Sequence, residues 1–235
     1  MSFVNITLLL IFAKSIINKK KLVKPKAGII MVRAAALVSG DGAKLQSVLD
    51  AVYFKEIQDF ELVAVISTNK DCYAMKRAEN FNIPAFAVDP ELFPTATSHS
   101  MAVANKLRDM DIDLVILSDY QVDLGVIPYQ YKGKIIGSYP SLLPAFDDVP
   151  DGDIFRAAID RGLKLTGATV YFADNDGRVG PIISQKAVEI KDGDTSATLM
   201  RRIAVEAECV LLPEAIKLFV SGKLSIENGK VIVSQ

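Results

Sequence analysis

From Met31 onward, short apolar runs alternate with segments of helical period, and that alternation limits the fold more than any other feature of the chain. It calls for βαβ units and a mainly parallel sheet flanked by helices, the α/β class. Ala34 to Ser39 reads as a buried strand, and Gly40-Asp41-Gly42 turns it into a helix whose Leu45, Val48, Leu49 and Val52 share one face. Further strands are expected at Glu61 to Thr68, Ala85 to Val88, Asp113 to Ser118 and Lys134 to Ser138, with helices at Tyr73 to Asn80, Ser98 to Met110 and Asp153 to Arg161. Thr169 to Ala173 and Ile183 to Ile190 read as antiparallel strands around a turn at Asp174 to Pro181. A long helix from Ser196 to Val220, bent near Pro213, and a hairpin around Asn228-Gly229 close the chain.

The first thirty residues stand apart. An apolar run from Ile6 to Ala13 precedes Lys19, Lys20 and Lys21, too short to span a bilayer and with its charge on the wrong side for a secretory signal. Residues 1–30 are therefore expected to be a disordered extension, with the domain at 31–235. Half of the residues are hydrophobic, enough for one core at this length, which excludes bulk disorder. The 27 Lys and Arg nearly balance the 28 Asp and Glu, so no general field favours a nucleic-acid backbone. Cys72 and Cys209 are far apart in sequence and fit neither a disulfide framework nor a metal-ligand spacing, which suits a reducing cytoplasm. No metal, nucleic-acid partner or membrane is expected. The one histidine, His99, falls at the very start of an expected helix, where a solvent-facing or capping role is foreseen.

Three passages fall where the ends of strands would gather ligands. In Ser39-Gly40-Asp41-Gly42-Ala43-Lys44, glycines and helix-start amides suit a phosphate, with Lys44 as an added cation, although a tight βα turn needs glycine for steric reasons alone. The second passage is Gly137-Ser138-Tyr139-Pro140-Ser141-Leu142-Leu143-Pro144. The third runs from Gly167-Ala168-Thr169-Val170 through the acidic turn to Gly180-Pro181-Ile182-Ile183 and Gln185.

Taken in this order with Glu206-Ala207-Glu208-Cys209, these passages resemble the phosphoribosylglycinamide formyltransferase family, folate-dependent enzymes of purine synthesis, over essentially the whole domain. The resemblance implies a Rossmann-like formyltransferase fold and 10-formyltetrahydrofolate as co-substrate. It implies a phosphoribosyl ligand on Gly40, Asp41, Gly42, Ala43 and Lys44, with Glu208 contacting the glycinamide. The folate region it implies comprises Tyr120, Gln121, Val122, Leu124, Asp174 and Asp176. A homodimer is compatible with it.

The pattern breaks at the chemistry. Where the family has Asn, His and Asp, this chain has Gly137, Tyr139 and Arg178, so none of the three catalytic side chains is intact. Asp41 and Lys44 stand where the family often has Asn, and Asp119 to Leu124 replaces an apolar loop. Formyl transfer needs donors for an oxyanion and a base for the amine proton. Two functions follow: a formyltransferase-like protein of purine synthesis with lost or altered activity, or a non-catalytic paralogue that binds a phosphoribosyl ligand or folate in a regulatory role.

Overall fold

A computed structural model describes residues 31–147 and 153–234; the expectation of a disordered extension at residues 1–30 lies outside them. Seven strands form one sheet in the order β3-β2-β1-β4-β5-β6-β7: β1 Val32–Val38, β2 Phe60–Ser67, β3 Ala85–Ala87, β4 Leu114–Ser118, β5 Ile135–Tyr139, β6 Leu165–Ala173 and β7 Val179–Glu189. β1 to β5 pair in parallel, whereas β6 and β7 are antiparallel. Helices α1 Ala43–Tyr53, α2 Tyr73–Asn80, α3 Ala96–Asp109, α4 Ile127–Gln130, α5 Ile154–Asp160, α6 Ser196–Ile203 and α7 Cys209–Val220 complete the layers. This is the mainly parallel α/β architecture expected of the sequence.

Side-chain alternation along β1 divides the core. Ala34, Ala36 and Val38 pack with Leu45, Leu49 and Leu212 on one side of the sheet, while Ala35 and Leu37 pack with Val103, Leu107 and Ile127 on the other. A strand buried on both faces reads as a continuous apolar run for this reason. The small alanines bring both helix layers close to the centre. β1 lies between β2 and β4, so consecutive crossovers leave it in opposite directions and open a crevice at the carboxyl ends of β1 and β4.

Three elements differ from their expected form. The interruption of the last long helix falls at a π-helical turn, Ala204–Glu208, and not at Pro213, which sits inside α7 without ending it. The turn expected at Asp174 to Pro181 contracts to its first five residues, because β7 is an edge strand that tolerates Pro181 and irregular pairing opposite Tyr171 to Ala173 absorbs the extra chain. β6 begins four residues earlier than expected, at Leu165. The final hairpin, β8 Leu224–Glu227 and β9 Lys230–Val233, turns through Asn228 and Gly229, both with positive φ, as a two-residue hairpin loop requires. Among the described residues, no helix is long and apolar enough to cross a membrane.

Candidate functional site

The turn after β1 is held by sterics and by its own carboxylate. Gly42 has φ 74°, and a Cβ there would lie 2.8 Å from the Cβ of Ala74, so only glycine fits between the turn and α2. Asp41 Oδ1 accepts the Ala43 N–H at 2.9 Å, and the Arg77 Nε donates to the Asp41 carbonyl at 2.8 Å. An internal anion thus stands at the positive end of α1, where a ligand phosphate was expected.

Lys44 is directed elsewhere. It is buried, and its Nζ lies 3.0 Å from Glu208 Oε1 and in an ion pair with Asp119. Ser138 Oγ donates to the same Glu208 oxygen at 2.7 Å. Burial alone would push the Lys44 ammonium down, but the Glu208 and Asp119 carboxylates outweigh it and hold the group well above its ordinary range. The free cation expected at the phosphate loop is therefore an internal counter-ion, because two carboxylate partners, one of them buried, bind it better than an exposed turn can. The π-helical turn decides which acid takes part. Its wider winding buries Glu208 and leaves Glu206 exposed.

The second passage is tied down by the third. Thr169 Oγ1 donates to the Ser141 carbonyl at 2.7 Å and accepts the Leu143 N–H at 3.1 Å, and Gln185 Nε2 reaches the Leu143 carbonyl at 3.0 Å. These bonds explain why the G-A-T-V and P-S-L-L-P segments occur together: one strand fixes the loop at the end of its neighbour.

Gly137, Tyr139 and Arg178, the positions that the resemblance pairs with the family's catalytic side chains, have different surroundings. Gly137 pairs with Tyr171 across β5 and β6, and a Cβ at 137 would lie 3.0 Å from Tyr171 Oη and Cζ and 3.3 Å from Leu117 Cδ1. An Asn side chain at 137 would therefore press on the Tyr171 ring, which would have to give by a few tenths of an ångström to admit it. Tyr139 Oη donates to the Phe146 carbonyl at 2.8 Å. Arg178 is exposed, and its guanidinium has no hydrogen bond or ion pair among the described residues. Its backbone is fixed, because Asp174 Oδ1 accepts the Arg178 N–H at 2.8 Å and the Arg178 carbonyl accepts the Asp174 N–H at 2.9 Å.

His99 corrects an expectation. It lies inside α3 at 2% exposure, its Nε2 is 2.9 Å from the Val88 carbonyl, and its ring meets Phe93 edge-on. The helix starts two residues earlier than expected, capped by Thr95, and His99 stands one turn before Val103 and two before Leu107 on its buried face, so it offers the site no base.

Two cavities meet at Tyr171 and Arg178. The smaller, about 340 Å³, is lined by Leu117, Tyr120, Val122, Leu124 and Asp176 besides those two. The larger, about 570 Å³, adds Tyr139, Leu143, Pro144, Val179 and Ile182. Of the folate-region candidates, Tyr120, Val122, Leu124 and Asp176 thus come together. Gln121 does not line either cavity; it is exposed and its N–H is bound by Ser39 Oγ at 3.0 Å. Asp174 is also outside, since its carboxylate closes the turn by accepting the N–H of Asp176 as well as that of Arg178. Burial pushes the Tyr120 and Tyr171 phenols up, so both are proton donors rather than bases at neutral pH. Among the described residues, no group of three His, Cys, Asp or Glu is placed to hold a metal ion. Sequence reasoning missed Tyr171 and Ser138, whose roles arise only from pairing across strands; an aromatic residue two places after G-A-T was the available signal for Tyr171.

This cleft belongs to a known architecture: residues 32–216 match the family described as formyl transferase. The chain belongs to that family. It is 34% identical over 175 residues to the phosphoribosylglycinamide formyltransferase of Bacillus subtilis, covering 74% of this chain and 87% of that one. It is 33% identical over 202 residues to the human trifunctional purine biosynthetic protein adenosine-3, covering 85% of this chain but only 19% of that much longer protein. In three dimensions it is similar to glycinamide ribonucleotide transformylase 1 from Symbiobacterium toebii, with TM-score 0.82 and 37% identity over 87% of this chain and 95% of that one. The family match covers both the strand-rich first half and the helix that carries Glu208.

Proposed function

We propose that this member of the phosphoribosylglycinamide formyltransferase family has lost formyl transfer and serves as a small-molecule binding protein within purine and one-carbon metabolism. The observation that carries this reading is Gly137 itself, which has no side chain to donate, with the Tyr171 ring end crowding the place where a donor would stand. The other two replacements support it. Tyr139 is engaged by the Phe146 carbonyl, Arg178 cannot take up a proton, and the one histidine is buried against Val88. Glu208, the carboxylate that the family directs at the glycinamide, already has a cation in Lys44.

The reading is tested with 10-formyltetrahydrofolate and phosphoribosylglycinamide, using the Bacillus subtilis relative as reference. Loss of a single oxyanion donor costs about 10²–10³-fold, and acid–base help is worth about 10²–10⁴-fold, so the rate is expected to fall at least about 10³-fold below the reference. Turnover near that of the reference overturns the proposal. Restoring Gly137→Asn, Tyr139→His and Arg178→Asp is expected to recover transfer only when Tyr171→Ala is added to clear the space.

A further inference from the structure

The cage around the Lys44 ammonium contains one polar group that the lysine does not use. Glu208 from the π-helical turn, Asp119 from the loop after β4 and Ser138 from β5 build it, and Lys44 enters from α1. Ser118 is the further member. Its Oγ is fully buried, at 0% exposure, without a hydrogen-bond partner among the described residues. Ile116 and Ile136 lie opposite each other on β4 and β5, and both pack in the core layer that α1 and α7 cover. Two residues further on, Ser118 and Ser138 therefore face that same layer at the strand ends, where Ser138 meets Glu208.

A buried hydroxyl left unpaired is costly, and an ammonium proton would satisfy it. An ammonium carries three protons, and the two carboxylates of the cage take two of them from Lys44. The lysine approaches on a tether from α1, whereas a primary ammonium that enters without one can turn its third proton to Ser118. The cage also has a way in. The side chains of Lys44 and Glu208 are 7% and 6% exposed, but that of Asp119 is 38% exposed, so one wall reaches the crevice. No second cation competes from the turn after β1, since Arg77 is held by the Asp41 carbonyl and Gln46.

We propose that Glu208, Asp119, Ser138 and Ser118 form a site for a primary ammonium, and that Lys44 fills it from within and so closes this part of the crevice to amine ligands. This deepens the binding function proposed above and rests on it, because it names a ligand class that the protein turns away. The cage selects charge and proton count together. An alcohol of the same shape brings one proton and no charge.

Replacing the lysine by a free amine tests the assignment. Urea unfolding of the full chain is followed with n-propylammonium chloride or, at matched ionic strength, with 1-propanol. In Lys44→Ala, n-propylammonium is expected to raise the unfolding midpoint saturably and to bind at least about tenfold more tightly than 1-propanol, the size of one charge-assisted hydrogen bond. The unmodified protein is expected to show no saturable response, because Lys44 already fills the cage. Adding Glu208→Gln to Lys44→Ala is expected to abolish the rescue, and adding Ser118→Ala to weaken it about two- to tenfold, the range of one neutral hydrogen bond. Lys44→Asn, whose shorter side chain leaves the ammonium position vacant, carries the same measurement if Lys44→Ala does not fold. Equal rescue by the alcohol, a saturable response of the unmodified protein, rescue untouched by Glu208→Gln or by Ser118→Ala, or no rescue of either lysine variant each overturns the ammonium site. Formyl transfer at the reference rate defeats the loss-of-activity reading even where the rescue persists. Absence of rescue without any transfer defeats the ammonium site alone.

Discussion

Lys44 and Arg178 are both cations at the carboxyl ends of the same sheet, and both stand where the family resemblance expects an uncharged or acidic residue. Their surroundings differ completely. Lys44 is buried between Glu208 and Asp119, with Ser138 completing the Glu208 contact, so its charge is consumed inside the protein. Arg178 is exposed at the junction of two cavities and faces no such partner. Whether a cation is available to a ligand is set by the acids that the fold brings to it, not by its place in a motif. One end of the cleft is closed by internal ion pairs, while the other carries a cation with none among the described residues.

The contrast is most sharply tested by removing each cation. Lys44→Met leaves two carboxylates uncompensated, one of them buried, and is expected to cost about 3–5 kcal/mol in urea unfolding at neutral pH. Arg178→Met is expected to stay within about 0.5 kcal/mol of the unmodified protein. Similar costs for the two would erase the distinction. The pH dependence gives a second reading: the folded state holds the Lys44 proton more tightly than the unfolded chain, whose ordinary value is 10.5. That contribution is fully present below the unfolded value and declines as pH rises above it. The unmodified protein should lose stability more steeply in alkali than Lys44→Met does.

Gly137→Asn comes next in size. Its side chain meets Tyr171 at 3.0 Å, and overpacking of this kind costs about 1–3 kcal/mol, to be measured as a shift in the denaturation midpoint at constant slope. Adding Tyr171→Ala should make the pair markedly non-additive; simple additivity would mean that Tyr171 does not fill that space. A smaller and opposite effect is expected from Tyr120→Phe, a gain of about 1 kcal/mol in stability from removing an unpaired buried hydroxyl. A loss of stability on this change would show that Tyr120 already has a partner. The smallest effect belongs to Asp41→Asn. Removing the carboxylate at the start of α1 is expected to tighten inorganic phosphate binding about two- to fivefold, the scale of a helix-terminal charge of about 0.3–1 kcal/mol. Unchanged binding would remove electrostatics from the account of that turn.

Much of this was legible beforehand and some was not. The strand and helix alternation is a local pattern, so β1, β2, β4 and β5 and the helices α1 to α3 could be placed from periodicity, with boundaries shifted by one or two residues, whereas the four-residue α4 between β4 and β5 was expected as loop. His99 went wrong because it stands four and eight residues before Val103 and Leu107, on the buried stripe of α3, and a polar residue in that phase reads as exposed unless the stripe is followed back to the first turn. The break in the last helix went wrong because proline is a conspicuous signal, whereas a π-helical turn has no composition of its own. Glu208 was singled out by resemblance, but that Lys44 would be its counter-ion could not be read across 164 residues of chain.

The sequence by itself determined the α/β class, the mainly parallel sheet with an antiparallel end and the terminal hairpin. These follow from residue identity and from periods within a few residues, which act wherever the chain goes. The tertiary structure alone decided that Tyr171 fills the space over Gly137, that Lys44 turns inward to Glu208 and Asp119, and that Arg178 is left facing the cavities. Such pairings join distant segments, and their energies depend on burial and on distances of a few ångströms that only the packed sheet and its helices establish.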